Sequence, residues 1–203
     1  MLAEMMNGTA YVRCVEVGDG KLASVFMDMP TQVAAACTGI QHDPELSGRP
    51  IHIVGISQGG LLARALVEAC ANVTVRKLVT FGAPHAGVSA IRNCEWNMYC
   101  LLADRAARTL VYLDWVQALL APAEYFRVFY DAALYLRNSY FLPYANNEEP
   151  EKSALYRERM AALEHFMMFK WRDDHVVFPK ESEWFGLLDA RGQILAMEDT
   201  PLY

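Results

Sequence analysis

The chain has 203 residues, 54% of them hydrophobic, with 18 Lys and Arg against 24 Asp and Glu, for a net charge of −6. That length suits one domain with a sizeable core. The acidic balance, with no basic stripe, excludes a nucleic-acid-binding role. No stretch reaches the roughly 18 consecutive apolar residues of a membrane helix, because Asp114, Glu124, Arg127, Asp131 and Arg137 interrupt the most apolar region, 109–141.

The opening "MLAEMMNGTAYVRC" lacks a basic region followed by an apolar one, so it does not read as a secretory signal. Residues 10–17, "AYVRCVEV", alternate and are β-branched, which predicts a strand. A helix is expected from about Pro30 through Thr38, then a polar loop, "DPELSGRP". "IHIVGI" follows, a short apolar strand of the kind buried on both faces of a parallel sheet. "SQGGLLARALVEAC" predicts a helix and Lys77–Phe81 another strand. This βαβ order predicts an α/β domain with a mostly parallel sheet. Residues 98–140 read as helices uninterrupted by a strand, "ALYRERMAALEHF" as one more helix, "FMMFKW" as a strand and "RDDHVVFPKESEWFG" as the loop after it. The expected organisation is a single domain, 1–203, with a helical insertion at 98–160.

Gly55-Ile56-Ser57-Gln58-Gly59 matches G-x-S-x-G, with a predicted strand before it and a helix after it. In that context the serine occupies a sharp, strained turn with Oγ exposed at the sheet edge, and side chains at the flanking glycines are expected to clash with strand and helix. The Gln58 N–H then lies at a helix N-terminus, placed to stabilise a tetrahedral oxyanion. The alternative is an ordinary serine at a helix start. An acid that orients a histidine is expected after a later strand, which points to Asp173 and Asp174, with Asp131 and Asp189 as competitors.

The base is harder to place. The chain order serine, acid, histidine leaves only His175, immediately after Asp174. Neighbours on extended backbone point to opposite sides. His85, in "GAPHAG", is expected to be buried and bonded to loop backbone, while His52, His165 and His42 lie on a strand, a helix and a polar loop.

The five cysteines, Cys14, Cys37, Cys70, Cys94 and Cys100, show no zinc-type spacing, so no metal site is expected. Cys37 and Cys70 lie at the ends of two predicted helices flanking one strand, and Cys94 and Cys100 bracket a short loop. Either pair could bond, or the thiols could stay free and buried. Asn7-Gly8-Thr9 and Asn72-Val73-Thr74 fit the glycosylation triplet.

Three stretches, "IVGISQGGLLARALVEAC", "LVTFGAPHAGVSAIRNC" and "FMMFKWRDDHVVFPKESEWFG", together resemble the palmitoyl-protein thioesterases, lysosomal α/β-hydrolases that remove fatty acyl groups from cysteine. The likeness covers about residues 15–203. It implies an α/β-hydrolase-type, mostly parallel sheet, with Ser57 as nucleophile, Asp174 as triad acid and Gln58 as the oxyanion residue. It also implies disulfides Cys37–Cys70 and Cys94–Cys100, an insertion that shelters the acyl chain, no cofactor, and a lysosomal or secretory location. The partners implied are S-palmitoylated proteins or peptides and the fatty acyl chain itself. Two family features find no match here: a first strand with an "HG" oxyanion loop, and a "GDH"-type loop carrying the catalytic histidine. The expectation is a chain lacking the first and last strands of the fold, with the base beyond Tyr203 and activity impaired. Rival expectations are a non-catalytic acyl-chain or protein-binding module and a different serine lipase or esterase.

Overall fold

The computed structural model describes residues 4, 8–90, 108–200 and 202. At its centre are three parallel strands in the order β1-β2-β3: β1 Ile51–Ile56, β2 Val75–Phe81 and β3 His165–Phe169. Ile56 lies opposite Phe81, which lies opposite Phe169, so the strands end together at one edge.

Helix α1 (Lys21–Phe26) leads into α2 (Met29–His42), which starts where Asp28 accepts the Thr31 N–H at 2.8 Å and Pro30 supplies a first-turn residue with no amide to satisfy. The β1–β2 crossover is α3 (Gln58–Ala69). Its Leu61, Ala65 and Leu66 meet Met29, Val33, Ala36 and Ile40 of α2 to form the core. Between β2 and β3 the chain runs through short helices: α4 Asp114–Leu119, α5 Ala121–Glu124, α6 Ala132–Asn138, α7 Leu142–Ala145 and α8 Ala154–Ala161. Their Phe126, Tyr135 and Leu142 extend the same core. Polar groups anchor this segment as well. Arg127 makes two bonds of 2.9 Å to Glu148, and Tyr135 donates to the same carboxylate at 2.7 Å. Val88, after β2, exchanges backbone bonds with Tyr125 and Arg127.

Several expectations are revised. Residues 10–17 form no strand: Tyr11, Val12 and Val15 are exposed, and the segment is held by Tyr11 and Arg13 on Asp43. Alternation marks a strand only where a ladder partner and a core face exist, and here the side chains face solvent. β1 is buried on one face only, with Val54 48% and Ile56 66% exposed. Register continues that open face through Val79 and Phe81 to Met167 and Phe169. The helix expected to reach Phe166 ends at Ala161, because Glu164 already donates to the Arg76 carbonyl and starts the β3 ladder. A small antiparallel pair, β4 Leu187–Leu188 with β5 Ile194–Leu195, was not foreseen. Asp189 organises its turn by accepting the Arg191 and Gln193 amides.

Candidate active site

Ser57 joins β1 to α3 with φ 54° and ψ −127°. Its N–H donates to the Phe81 carbonyl at 2.8 Å, and its own carbonyl accepts from Gly60 at 2.9 Å. A capping serine is extended, and its Oγ accepts an amide of the first turn. Ser57 has neither property: its side chain makes no capping bond, and the backbone lies in a region that side chains other than glycine's rarely enter. The residue is exposed.

The glycines around it divide. A Cβ on Gly55 would lie 2.4 Å from the Gly59 carbonyl oxygen and 2.6 Å from the Gly60 Cα, so the strand and helix start are in contact there. Gly59 faces open space, contrary to the expected clash at both flanking positions. The second close approach belongs to Gly60, whose Cβ would meet that of Ala83 at 2.4 Å. Gln58 opens α3, where first-turn amides lack intrahelical acceptors. Its side chain is engaged elsewhere, donating to the Ser24 carbonyl at 2.7 Å and accepting from the Tyr125 hydroxyl at 3.0 Å. The α4–α8 segment thus reaches the elbow through Tyr125.

Asp174 lies after β3, and its Oδ1 accepts the Val176 and Val177 amides. Its Oδ2 lies 3.8 Å from where a Cβ on Gly82 would stand, and Gly82 (φ 58°) leaves room for the Trp171 ring over the end of β2. Asp173 by contrast is exposed and pairs with Arg172 at 3.6 Å. Asp131 caps α6 and Asp189 shapes the β4–β5 turn, so both have structural work.

Sequence reading missed Glu183. It lies in a 3-10 helix, Lys180–Trp184, only 1% exposed, with Oε2 accepting the Trp171 N–H at 3.0 Å. Burial pushes its carboxyl up to about 7, and the neighbouring Asp174 adds to the rise. In sequence it resembles any acid in a charged loop; only the tertiary packing sets it apart.

Ser57 and Asp174 sit beyond the same edge of the sheet with β2 between their strands. Two strand spacings amount to roughly 10 Å. The histidines are placed as follows. His85 is fully buried, its Nε2 2.9 Å from Thr80 Oγ1 and its ring stacked on Phe185, so the partner is a side chain and not the loop backbone expected. Burial, with the Arg64 charge adding, holds its pKa well below 6.5. His42 is exposed and bonds Thr38 within α2. His52 is exposed on β1, His165 starts β3 at the edge away from Ser57, and His175 is exposed beside Asp174.

Cys37 and Cys70 form a disulfide between α2 and the end of α3, and Cys14 is free and exposed. Cys94, Cys100 and the start of the expected insertion lie outside the described residues. A cavity of about 630 Å³ is lined by Val33, Cys37, Ala65, Phe141, Tyr144 and Tyr156 among others. It lies by the far end of α3 and includes none of Ser57, Gln58 or Asp174. No helix among the described residues is long and apolar enough to cross a membrane.

Comparison with known proteins agrees with this architecture. The sequence is 32% identical over 178 residues to palmitoyl-protein thioesterase 3 of Dictyostelium discoideum, covering 87% of this chain and 59% of that protein. It is 33% identical over 174 residues to palmitoyl-protein thioesterase 1 of Caenorhabditis elegans, covering 84% and 58%. A lysosomal thioesterase of Homo sapiens is 27% identical over 155 residues, covering 75% of this chain and 51% of that protein. The chain therefore spans little more than half the length of these relatives. The sequence pattern of the palmitoyl protein thioesterase family matches residues 1–203. With its parallel sheet of α/β-hydrolase type, this chain belongs to the palmitoyl protein thioesterase family.

Proposed function

We propose that the chain carries the nucleophile half of a site that hydrolyses long-chain acyl thioesters of protein or peptide cysteines. The observation that carries this reading is the conformation of Ser57: positive φ, no capping bond, exposed at the end of β1, with a fixed carboxylate beyond β3. On this reading a histidine takes the Ser57 proton, and Oγ attacks the thioester carbonyl. The Gln58 amide then stabilises the oxyanion, the cysteine thiolate leaves, and water releases the fatty acid. Asp174 holds the histidine and balances its charge. No histidine of the chain is well placed to serve: His85 is buried and neutral, His42 bonds Thr38, His52 and His165 lie toward the opposite end of the sheet from Ser57, and His175 adjoins the acid on the same segment. On this reading the insertion expected at 98–160 shelters the acyl chain. Burial of each methylene is worth about 0.8 kcal/mol, so chain length dominates affinity. The names of relatives support a lysosomal setting.

The test is hydrolysis of a palmitoyl thioester by this chain, with and without added imidazole, beside Ser57→Ala. The expected result is turnover slower by several orders of magnitude than a complete triad gives, raised by imidazole and absent in Ser57→Ala. Turnover unaffected by Ser57→Ala would overturn the assignment.

A further inference from the structure

The loop from α3 to β2 carries Asn72-Val73-Thr74, an Asn-x-Thr triplet to which the hydrolytic reading gives no role. Its residues divide by burial. Asn72 and Thr74 are exposed, while Val73 between them packs against the core. The turn is anchored at its base. Cys70 is bonded to Cys37, Gln41 donates to the Ala71 carbonyl at 2.6 Å, and the Thr74 carbonyl accepts the Ile51 N–H at 2.9 Å. At its tip Asn72 has φ 61°, a left-handed conformation that asparagine enters more readily than most side chains. Among the described residues nothing ties down the Asn72 amide. Those of Asn138, Asn146 and Asn147 are spent on Leu134, Glu148 and Ser153.

We propose that Asn72 is an attachment site for an N-linked oligosaccharide. The acceptor for this modification is an asparagine amide with a hydroxyl two residues on and no proline between, and its bulky product needs an exposed loop. In the transfer, the Asn72 amide nitrogen forms a bond to the anomeric carbon of an N-acetylglucosamine. That sugar arrives on a polyisoprenyl pyrophosphate, and its C–O bond to the pyrophosphate breaks. The pyrophosphate leaves with the electron pair, and the nitrogen gives up one proton. Two features of the fold suit such a site. The Cys37–Cys70 bond is characteristic of chains folded in an oxidising compartment, where this transfer takes place. The loop is also remote from the elbow. β2 runs from Val75 beside it to Phe81, whose carbonyl holds the Ser57 amide, a separation of roughly 20 Å at about 3.3 Å per residue. An oligosaccharide on Asn72 therefore leaves the serine open. The inference rests on the lysosomal setting proposed above, which a chain reaches through the secretory pathway, and not on the catalytic reading.

The experiment expresses the whole chain behind a cleavable secretory signal in cultured eukaryotic cells. The sugar is then released by peptide N-glycosidase in heavy-oxygen water, which converts an occupied asparagine to labelled aspartate. Whole-cell lysate is read, so a variant that folds poorly still reports. Mass spectrometry of the unsubstituted chain finds the label at residue 72. Thr74→Ala keeps the asparagine and loses the label, Thr74→Ser retains part of it, and Asn72→Gln removes one step of the mobility shift. Thr9→Ala, which removes the triplet at Asn7, leaves residue 72 labelled. An unlabelled residue 72 in the unsubstituted chain, or a label that persists in Thr74→Ala, overturns the proposal. Because the added signal delivers the chain to the lumen whatever its natural address, that failure strikes the site and not the setting. A residue 72 that is labelled here but bare in protein taken from its own cells strikes the setting, and the proposal falls with it.

Discussion

Gly59 and Gly60 are adjacent, yet the fold treats them oppositely. Gly60→Ala places a methyl 2.4 Å from Ala83 Cβ, and is expected to destabilise by about 1–3 kcal/mol. Gly55→Ala meets backbone on the helix side and should cost at least as much. Gly59→Ala enters open space and gains helix propensity, so it should be neutral or stabilising by up to about 1 kcal/mol. Urea unfolding of the three variants ranks them, and equal losses at Gly59 and Gly60 would refute the packing described. The sequence motif names Gly59; the packing selects Gly55 and Gly60. Ser57 was legible because a strand and a glycine precede it and a helix follows it directly. Glu183 was not, because what makes it unusual is burial against Trp171, a contact that leaves no local signature.

At the scale of elements, local and long-range forces separate cleanly. β1, α3, β2 and β3 were readable because apolar runs are punctuated by Gly, Pro and polar loops. Residues 10–17 have the same alternation but no ladder partner, so their strand character goes unused. The β4–β5 pair was missed because strands of two residues carry no periodicity at all. The segment from α4 to α8 depends on polar anchors more than on helix propensity, since its helices are a turn or two long. Arg127→Ala leaves Glu148, whose side chain is 8% exposed, without its ion pair. A cost of about 3 kcal/mol is expected. Hydrogen exchange should locate the loosening at 121–148, with β1 and β2 unaffected. A small effect spread evenly over the chain would contradict this anchoring role. Asp28→Ala removes the α2 cap and should cost about 1 kcal/mol.

At the scale of the whole molecule, buried carboxyls tie stability to pH. Burial is the main force raising three carboxyls, Glu68 to about 7, Glu124 to about 8 and Glu183 to about 7, from a usual 4.5. Each is protonated in the fold where the unfolded chain is ionised, so folding takes up protons between about pH 4.5 and 8. Their contribution is full below about 4.5 and is lost as pH rises through 7 to 8. His85 works the other way: neutral in the fold and charged when unfolded, it withdraws stability below 6.5. Three carboxyls outnumber one imidazole. The urea midpoint should therefore fall from pH 6 to pH 8.5, and Glu124→Gln should flatten the slope above pH 7. A midpoint that rises over that interval would disprove the account. The open sheet face, with Val54, Ile56, Met167 and Phe169 exposed, adds a second whole-chain property. An apolar patch of this kind promotes association, so sedimentation should show self-association that Ile56→Lys reduces.

The Cys37–Cys70 bond joins residues 33 apart, and everything between them, β1, Ser57 and all of α3, lies inside one covalent ring. A protease that nicks the exposed turn at 44–50 opens the ring without dividing the molecule. The two pieces stay attached, migrating as one band until a reductant is added, with the serine still mounted between its strand and helix.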